Sequence, residues 1–352
     1  MRKHITLLTT LLFFFVSGLK AQIKKETFKF QYEGKTLNGI LNKPDQAEPT
    51  GLVLIIHGSG QTNAVAQEWH YDMRATLVQA GFSVYMWDKM GCGKSEGIFD
   101  YHQSIQSSAS EAIAAIEELK KQEIAGADKI GLWGISRAGW VNPLIINQYK
   151  DIKFWISVSG VDEKDNFKYL LEENLRIDGL PEDSIQLLVE EWKMGQIIAH
   201  EGGSYEECEK ATSNLNKNAF LKRFNGSPFT KEDYLAWQQT FMQQPFDKET
   251  GLVSNVENFD SILLNVRCPV LALFGEKDKN VDWQKTKALY EKTLGENTDL
   301  TIQSFPNCNH NLVECKTGGF YEMQDDGLPW NRCRGSLVAM TKWLVEKGLA
   351  KK

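Results

Sequence analysis

A serine, an aspartate and a histidine of this chain supply the side-chain types that covalent catalysis by a hydroxyl group requires. Ser136 lies in the run GISRAG, residues 134–139, directly after a short apolar segment of strand length. A sharp turn from a strand into a helix would lift this side chain to the edge of a sheet and aim backbone N–H groups at the group it attacks. Because a serine hydroxyl is a poor nucleophile at neutral pH, it needs a histidine to take its proton and a carboxylate to orient that histidine.

Two histidines follow the serine, and their surroundings differ. His310 comes soon after an apolar run of strand length, whereas His200 lies in a stretch with a helical pattern. His310 is therefore the predicted base. Asp278 follows the apolar run 268–274 and is the predicted acid. Glu276 and Asp282 belong to the same short loop and stay open as alternatives.

The elements that must position these residues follow an alternating pattern. Apolar runs typical of buried strands alternate with helical patterns, which predicts a mainly parallel sheet covered on both faces. An antiparallel hairpin is expected at the sheet edge. All three candidates would lie at the carboxyl ends of strands, where ligands bind in such sheets. The predicted strands are 26–32, 36–42, 52–56, 83–87, 130–133, 154–157, 268–274 and 300–305, and the predicted helices are 66–80, 107–121, 283–294 and 337–347.

The alternation of strand-like and helical patterns stops between residues 161 and 267, where helical patterns rich in polar and aromatic residues appear without a strand-like run. This segment is interpreted as a helical cap inserted into a core formed by 22–160 and 268–352. Trp192, Trp237 and Phe241 occur at spacings that suit the interior of the cap, and a wall of a substrate pocket is the alternative.

These features resemble the α/β-hydrolase family over nearly all of the chain after residue 21. The run HGSG at 57–60 is similar to the oxyanion loop of the family, and residues 88–95 are similar to its D-x-x-G-x-G-x-S turn. The elbow departs from the usual pattern at Ala138, where most members have glycine. With Trp140 and Pro143, it resembles bacterial secreted serine esterases and serine-aminopeptidase-like hydrolases.

The resemblance implies an α/β-hydrolase fold, in which a mainly parallel sheet has helices on both faces and carries an inserted cap. It also implies that the backbone N–H groups of Ser59 and Arg137 form the oxyanion hole. His57 is expected to pack beneath the loop rather than transfer protons. The side chain of Arg137 either meets a substrate carboxylate or faces solvent.

The first 21 residues have the layout of a secretory signal peptide. Arg2 and Lys3 precede an apolar stretch from Ile5 to Val16, and small residues follow it up to Ala21. Export to the periplasm or the medium is expected, with no membrane association after cleavage. The formal net charge is −6, and loss of this segment makes it more negative, which argues against nucleic acid as a partner.

The six cysteines suit an exported chain, in which disulfides form. Cys308, Cys315 and Cys333 are close enough in sequence to pair among themselves. Their spacing matches no zinc pattern, and the glycine-rich turn at 88–95 lacks the spacing of a phosphate-binding loop. No cofactor or metal is predicted.

The leading hypothesis is an exported serine hydrolase that cleaves small carboxylic esters through an acyl-enzyme. The alternative is a serine exopeptidase acting on short peptides, in which Glu172, Glu173 or Glu191 would bind the charged terminus. A protein that kept the fold and lost catalysis is the third hypothesis. The oligomeric state is left open.

Overall fold

The computed structural model of the protein describes residues 23–162, 164, 166–226 and 229–351. The predicted signal peptide, residues 1–21, lies outside the described residues. Within the described part of the chain, no helix is both long enough and apolar enough to cross a membrane.

The strands of the main sheet are β1 (Ile23–Tyr32), β2 (Lys35–Pro44), β3 (Gly51–Ile56), β4 (Phe82–Trp87), β5 (Ile130–Ile135), β6 (Trp155–Val158), β9 (Val270–Gly275) and β10 (Leu300–Phe305). They form an eight-stranded sheet at the centre of the fold, with the spatial order β1-β2-β4-β3-β5-β6-β9-β10. The first two strands form an antiparallel hairpin at one edge, β2 pairs antiparallel with β4, and the other neighbours are parallel. The predicted hairpin and the predicted mainly parallel sheet are thus confirmed. Strands β7 (Phe246–Asp247) and β8 (Leu252–Val253) form a separate antiparallel pair.

Helices cover both faces of the sheet. The α-helices of the described residues, including those away from the sheet, are α1 (Tyr71–Gln79), α2 (Ile105–Lys121), α3 (Ala138–Gln148), α4 (Phe167–Ile177), α5 (Glu182–His200), α6 (Tyr205–Ala211), α7 (Ala219–Asn225), α8 (Lys231–Phe241), α9 (Phe259–Leu264), α10 (Trp283–Thr293), α11 (Glu322–Asp325) and α12 (Ser336–Glu346). Alternate residues of β3 enter two hydrophobic clusters, one shared with α2, α3, α9 and α10 and the other with α1 and α12. Burial on both faces explains why the β3 sequence is an uninterrupted apolar run.

Two helices differ from the sequence-based expectation. The first begins at Tyr71 rather than at residue 66, because His70 has a left-handed φ of 53° and the preceding residues form turns. A proline inside a helix predicts a kink or an early break at Pro143, but this helix continues to Gln148 without an early break. The prolyl ring removes one backbone hydrogen bond, but nearly the whole helix is buried, and its packing maintains it.

The segment between β6 and β9 contains α4 to α9 and the β7–β8 pair. The expectation of no strand in this segment was wrong, because each strand of the pair is two residues long and too short to give an alternating pattern. Helices α4, α5 and α7 share one hydrophobic cluster, and α5 and α8 share a second. Helix α9 instead packs with the cluster under the main sheet. The division into a core and a cap at residues 161 and 267 stays a prediction.

Candidate active site

Ser136 occupies a strained turn between β5 and α3. Its φ is 56°, a left-handed value that costs a residue with a β-carbon on the order of 1 kcal/mol or more and is typical of functional sites. Glycine is needed on both sides of the turn. A β-carbon at Gly134 would lie 2.6 Å from that of Ala138, and one at Gly139 would lie 2.7 Å from the amide nitrogen of Val161. The strand-turn-helix context expected of a nucleophile elbow is therefore present.

Asp278 and His310 are brought together from the loops after β9 and β10. The Nδ1 atom of His310 lies 2.7 Å from Oδ2 of Asp278. The other carboxylate oxygen accepts hydrogen bonds from the backbone N–H groups of Asn280 (2.8 Å) and Val281 (2.9 Å). Asp278 is 1% exposed and His310 8% exposed. This arrangement fixes the carboxylate and, through it, the orientation of the imidazole ring, so that Nε2 is left for proton transfer.

The competing candidates for base and acid have other contacts. His200 stacks on Phe246 with ring centroids 4.5 Å apart and hydrogen-bonds the Gln244 carbonyl oxygen. Glu276 accepts a hydrogen bond of 2.6 Å from the Ser304 hydroxyl. Asp282 caps the start of α10 by accepting from the Lys285 N–H. These contacts are structural.

The loop after β3 passes beside the serine. A β-carbon added at Gly58 would lie 3.5 Å from the β-carbon of Ser136, which places the peptide between Gly58 and Ser59 next to the nucleophile. His57 lies beneath this loop, as predicted, and its Nε2 hydrogen-bonds the carbonyl oxygen of Trp87 at 2.6 Å. Burial lowers the pKa of His57 to about 3, which keeps the ring neutral near pH 7.

The side chain of Arg137 is fixed against the protein. Its guanidinium group donates to the hydroxyl of Ser108 at 2.9 Å and to the carbonyl oxygen of Gln103. Burial lowers the pKa of Arg137 to about 10, and the nearby carboxylate of Glu111 opposes this shift. Both sequence-based alternatives for this side chain were incomplete, because it anchors the start of α3 to the region of α2.

In the turn after β4, Asp88 has a structural role, whereas Lys89 contacts the oxyanion loop, which the sequence did not indicate. The carboxylate of Asp88 accepts from the backbone N–H groups of Val65 (2.9 Å) and Lys94 (3.2 Å), as suits a structural turn. The missed residue is Lys89, whose Nζ donates to the carbonyl oxygens of Gly58 (2.6 Å) and Gly60 (2.7 Å). The feature of the sequence that could have indicated this role is the position of Lys89 at the carboxyl end of β4, next to the strand that carries the oxyanion loop.

A cavity of about 1100 Å³ lies between the sheet edge and the helices inserted after β6. Ser59, Lys89 and Arg137 belong to its wall, whereas Ser136, Asp278 and His310 do not, so the cavity meets the candidate site through the two predicted oxyanion residues. Much of the remaining wall is aromatic and includes Phe99, Trp140, Phe167, Trp192, Phe224, Tyr234, Trp237, Phe241 and Phe320. Trp192 and Phe241 are at the same time buried in the hydrophobic clusters of the helices, and Trp237, also in the wall, packs against one of them.

The sequence from residue 34 to residue 305 matches the S15 family of X-Pro dipeptidyl-peptidases. The chain belongs to this family. It is accordingly a hydrolase with the α/β-hydrolase fold, and the family resemblance expected from the sequence is confirmed. No curated protein matches the sequence.

Solved structures with the same fold include both esterases and peptidases. An esterase from Pyrococcus furiosus is 14% identical with a TM-score of 0.53, covering 92% of this chain and 91% of its own. A proline iminopeptidase from Mycobacterium smegmatis is 15% identical with a TM-score of 0.51, covering 92% and 99%. An acylaminoacyl peptidase from Pyrococcus horikoshii is also 15% identical with a TM-score of 0.51, covering 95% of this chain and 43% of its own. At these identities the likeness concerns the fold alone.

The acidic residues considered for a peptide terminus lie elsewhere in this S15-family protein. Glu172 pairs with Lys168, and Glu173 pairs with Arg176 and Lys279. Glu191 accepts hydrogen bonds from the backbone N–H groups of Asn214 and Leu215. None of the three glutamates belongs to the cavity wall, whose acidic residues are Asp100, Glu209 and Glu257.

The loop that carries His310 is closed by a disulfide between Cys308 and Cys333. Cys315, which the sequence placed among the possible partners, is a free thiol, and burial raises its pKa to about 11. Within the described residues, no group of three or more histidine, cysteine, aspartate or glutamate side chains is placed to hold a metal ion.

Proposed function

We propose that this S15-family hydrolase cleaves carboxylic esters with a bulky apolar acyl group, using Ser136 as nucleophile, His310 as base and Asp278 as the orienting acid. The observation that carries the proposal is the 2.7 Å contact between Nδ1 of His310 and Oδ2 of Asp278, on loops at the sheet edge where the strained elbow presents Ser136. This is the combination that activates a serine hydroxyl.

In the first half-reaction, the Ser136 oxygen bonds to the ester carbonyl carbon while Nε2 of His310 takes the hydroxyl proton. The resulting oxyanion accepts hydrogen bonds from the N–H groups of Ser59 and Arg137. When the tetrahedral intermediate collapses, the alcohol leaves with the proton held by His310. Water then attacks the acyl-enzyme by the same steps in reverse, which releases the acid and restores Ser136.

Two features of the site support an ester with a large apolar acyl group. The adjoining cavity of about 1100 Å³ has many aromatic residues in its wall and reaches the predicted oxyanion residues. Such a wall favours an apolar group over a charged one, because burying a charge without a partner is costly. The glutamates first considered for a peptide terminus are engaged in other contacts.

A peptidase that releases an N-terminal dipeptide is the second candidate, because the family match is to X-Pro dipeptidyl-peptidases. A free peptide amino group would need an acidic partner near the site. Asp100, Glu209 and Glu257 in the cavity wall are the residues that could supply it. Ester and peptide cleavage would use the same nucleophile and oxyanion donors.

The test combines labelling of the nucleophile with two kinds of substrate. Purified protein without residues 1–21 is treated with a fluorescent fluorophosphonate, beside Ser136→Ala and a control, Ser261→Ala, at an exposed serine. We expect labelling of the wild type and the control but not of Ser136→Ala. Turnover is then compared between p-nitrophenyl esters of increasing acyl size and alanyl-prolyl-p-nitroanilide.

Faster turnover of the larger esters supports the ester proposal, whereas turnover of the anilide alone supports the peptidase. Folded wild-type protein that takes no label contradicts both and favours a binding protein that has lost catalysis. Ser136→Ala that keeps its activity contradicts the assigned nucleophile. A full loss is expected to approach about 10⁶-fold in kcat.

We also propose that the protein is exported. The support is the signal-like pattern of residues 1–21 together with the disulfide between Cys308 and Cys333, a bond typical of oxidising compartments. Cell fractionation and N-terminal sequencing of the full chain expressed in a bacterial host would test this. Uncleaved protein confined to the cytoplasm would contradict it.

A further inference from the structure

Lys89 joins two neighbouring loops at the candidate site. It lies just after β4, and its ammonium group donates to the carbonyl oxygens of Gly58 (2.6 Å) and Gly60 (2.7 Å) in the loop after β3. These two carbonyls flank Ser59, the predicted oxyanion donor of that loop. A long side chain from one loop therefore fixes the backbone of another on both sides of a single residue.

The bond to Gly58 acts directly on the predicted donor. The carbonyl oxygen of Gly58 and the N–H group of Ser59 belong to the same peptide unit, which is planar, so that in the trans form the two groups point in opposite directions. An ammonium ion that holds the oxygen on one side thereby fixes the direction of the N–H on the other. It also polarises the amide, which makes the N–H a stronger donor.

The loop needs such a contact because its own backbone is permissive. Glycines stand on both sides of Ser59, and Gly60 has a left-handed φ of 81°. Glycine populates many backbone conformations, so that the direction of the Ser59 N–H is weakly determined by local sterics alone. Fixed donors aimed at the developing charge are the source of oxyanion stabilisation.

We propose that Lys89 is a positioning residue that holds the Gly58–Ser59 peptide with its N–H directed at the oxyanion. The proposal rests on the proposed function, because it assumes a tetrahedral intermediate on Ser136. Lys89 does not take part in proton transfer. Its contribution is greater in the transition state than in the ground state, since the oxyanion exists only there.

The charged surroundings of Lys89 give the proposal a pH signature. Burial, and after it the positive charge of Arg137, lower the pKa of Lys89 to about 8, while Glu111 and Cys92 oppose the shift. His57, beneath the same loop, stays neutral in this range. Above about pH 8 the amine loses its charge and holds the Gly58 carbonyl less firmly, so that kcat should fall.

The test uses three variants and p-nitrophenyl butyrate as substrate. Lys89→Met removes the donor at similar length, Lys89→Gln keeps a neutral donor, and Lys94→Met alters an exposed lysine of the same turn as a control. We expect Lys89→Met to lower kcat by about 10-fold to 100-fold with little change in KM, and Lys89→Gln to lower it less. The fall in kcat above pH 8 should be present in the wild type and in Lys94→Met and absent from both Lys89 variants.

Wild-type kcat in Lys89→Met would overturn the proposal, and so would an increase in KM at unchanged kcat, which would make Lys89 a substrate-binding residue. If the Lys89 variants do not fold, the wild-type profile decides, and a kcat that stays constant from pH 7 to pH 9.5 contradicts the role of Lys89. Failure of the proposed function is recognised separately, because it appears as absent labelling of the wild type or as activity that survives in Ser136→Ala.

Discussion

Cys308 and Cys333 form a disulfide that closes the loop carrying His310, with a sequence separation of 25 and the histidine two positions after the first cysteine. Cys308 packs in the hydrophobic cluster shared with α12, and Cys333 lies just before that helix. The bond thus ties the segment of the predicted base to the body of the fold.

Removal of this disulfide should lower both stability and activity. For a loop of this length, the chain-entropy account gives roughly 3.5 kcal/mol in the free energy of unfolding. We expect the double variant Cys308→Ser/Cys333→Ser to unfold at lower urea concentration and to hydrolyse p-nitrophenyl butyrate more slowly. Cys315→Ser is the matched control, since that thiol is free. An unchanged unfolding midpoint in the double variant would show that the bond does not contribute to stability.

Asp278→Asn should reduce turnover far more than substitution of its neighbours. The amide can present its N–H₂ group to His310 and favour the wrong tautomer, an effect on the order of 10⁴ in kcat in enzymes of this kind. Glu276→Gln and Asp282→Asn serve as controls, because those carboxylates contact Ser304 and the start of α10. Steady-state kinetics with one ester measures all three. A loss in Glu276→Gln as large as in Asp278→Asn would contradict the assignment of the acid.

His57 should make the protein less stable in acid. Burial lowers its pKa to about 3, whereas an unfolded chain binds the same proton near pH 6.5. The unfolded state therefore holds more protons between these values, and the free energy of unfolding falls as the pH decreases from about 6.5 towards 3. The contribution of one such group has a slope of up to about 1.4 kcal/mol per pH unit.

Urea unfolding at pH 7, 6, 5 and 4.5 measures this contribution. His57→Gln keeps a donor for the carbonyl oxygen of Trp87 and removes the titrating ring, so its curve against pH should be flatter than that of the wild type. His102→Gln changes an exposed histidine and should leave the curve as it is. Parallel curves for His57→Gln and the wild type would be incompatible with a neutral buried ring.

The features that could be predicted from the sequence depend on short-range patterns. The apolar run of β3 predicted a strand buried on both faces, and the elbow around Ser136 follows from the strand-turn-helix pattern. Asp278 and His310 could be proposed as partners because both follow predicted strands of one parallel sheet. Loops after adjacent parallel strands meet at the same edge.

The features that could not be predicted depend on contacts between distant segments. Lys89 looks like an ordinary polar turn residue until the loop after β3 is placed beside it. Likewise, the sequence does not show whether Glu191 faces a pocket. In the structure its carboxylate accepts hydrogen bonds from the backbone N–H groups of Asn214 and Leu215, which are distant in sequence. Helical periodicity indicates that one face is buried but does not say against which partner. The sequence could therefore offer Trp192, Trp237 and Phe241 only as alternatives for a pocket wall, and it did not indicate the other residues of the wall.

Filling the cavity should discriminate between substrates by acyl size. Gln196 on α5 belongs to the cavity wall, and Gln196→Trp would occupy part of its volume. If the acyl group binds there, kcat/KM should fall by about 10-fold or more for an ester with a long or aromatic acyl group. It should change little for p-nitrophenyl acetate, because steric exclusion affects only the group that enters the space.

Gln186→Trp, at an exposed position of the same helix, is the control and should leave kcat/KM unchanged for both substrates. Equal losses for acetate and for the bulky ester in Gln196→Trp would mean that the acyl group lies outside the cavity, and a gain for the bulky ester would contradict the proposed acyl site.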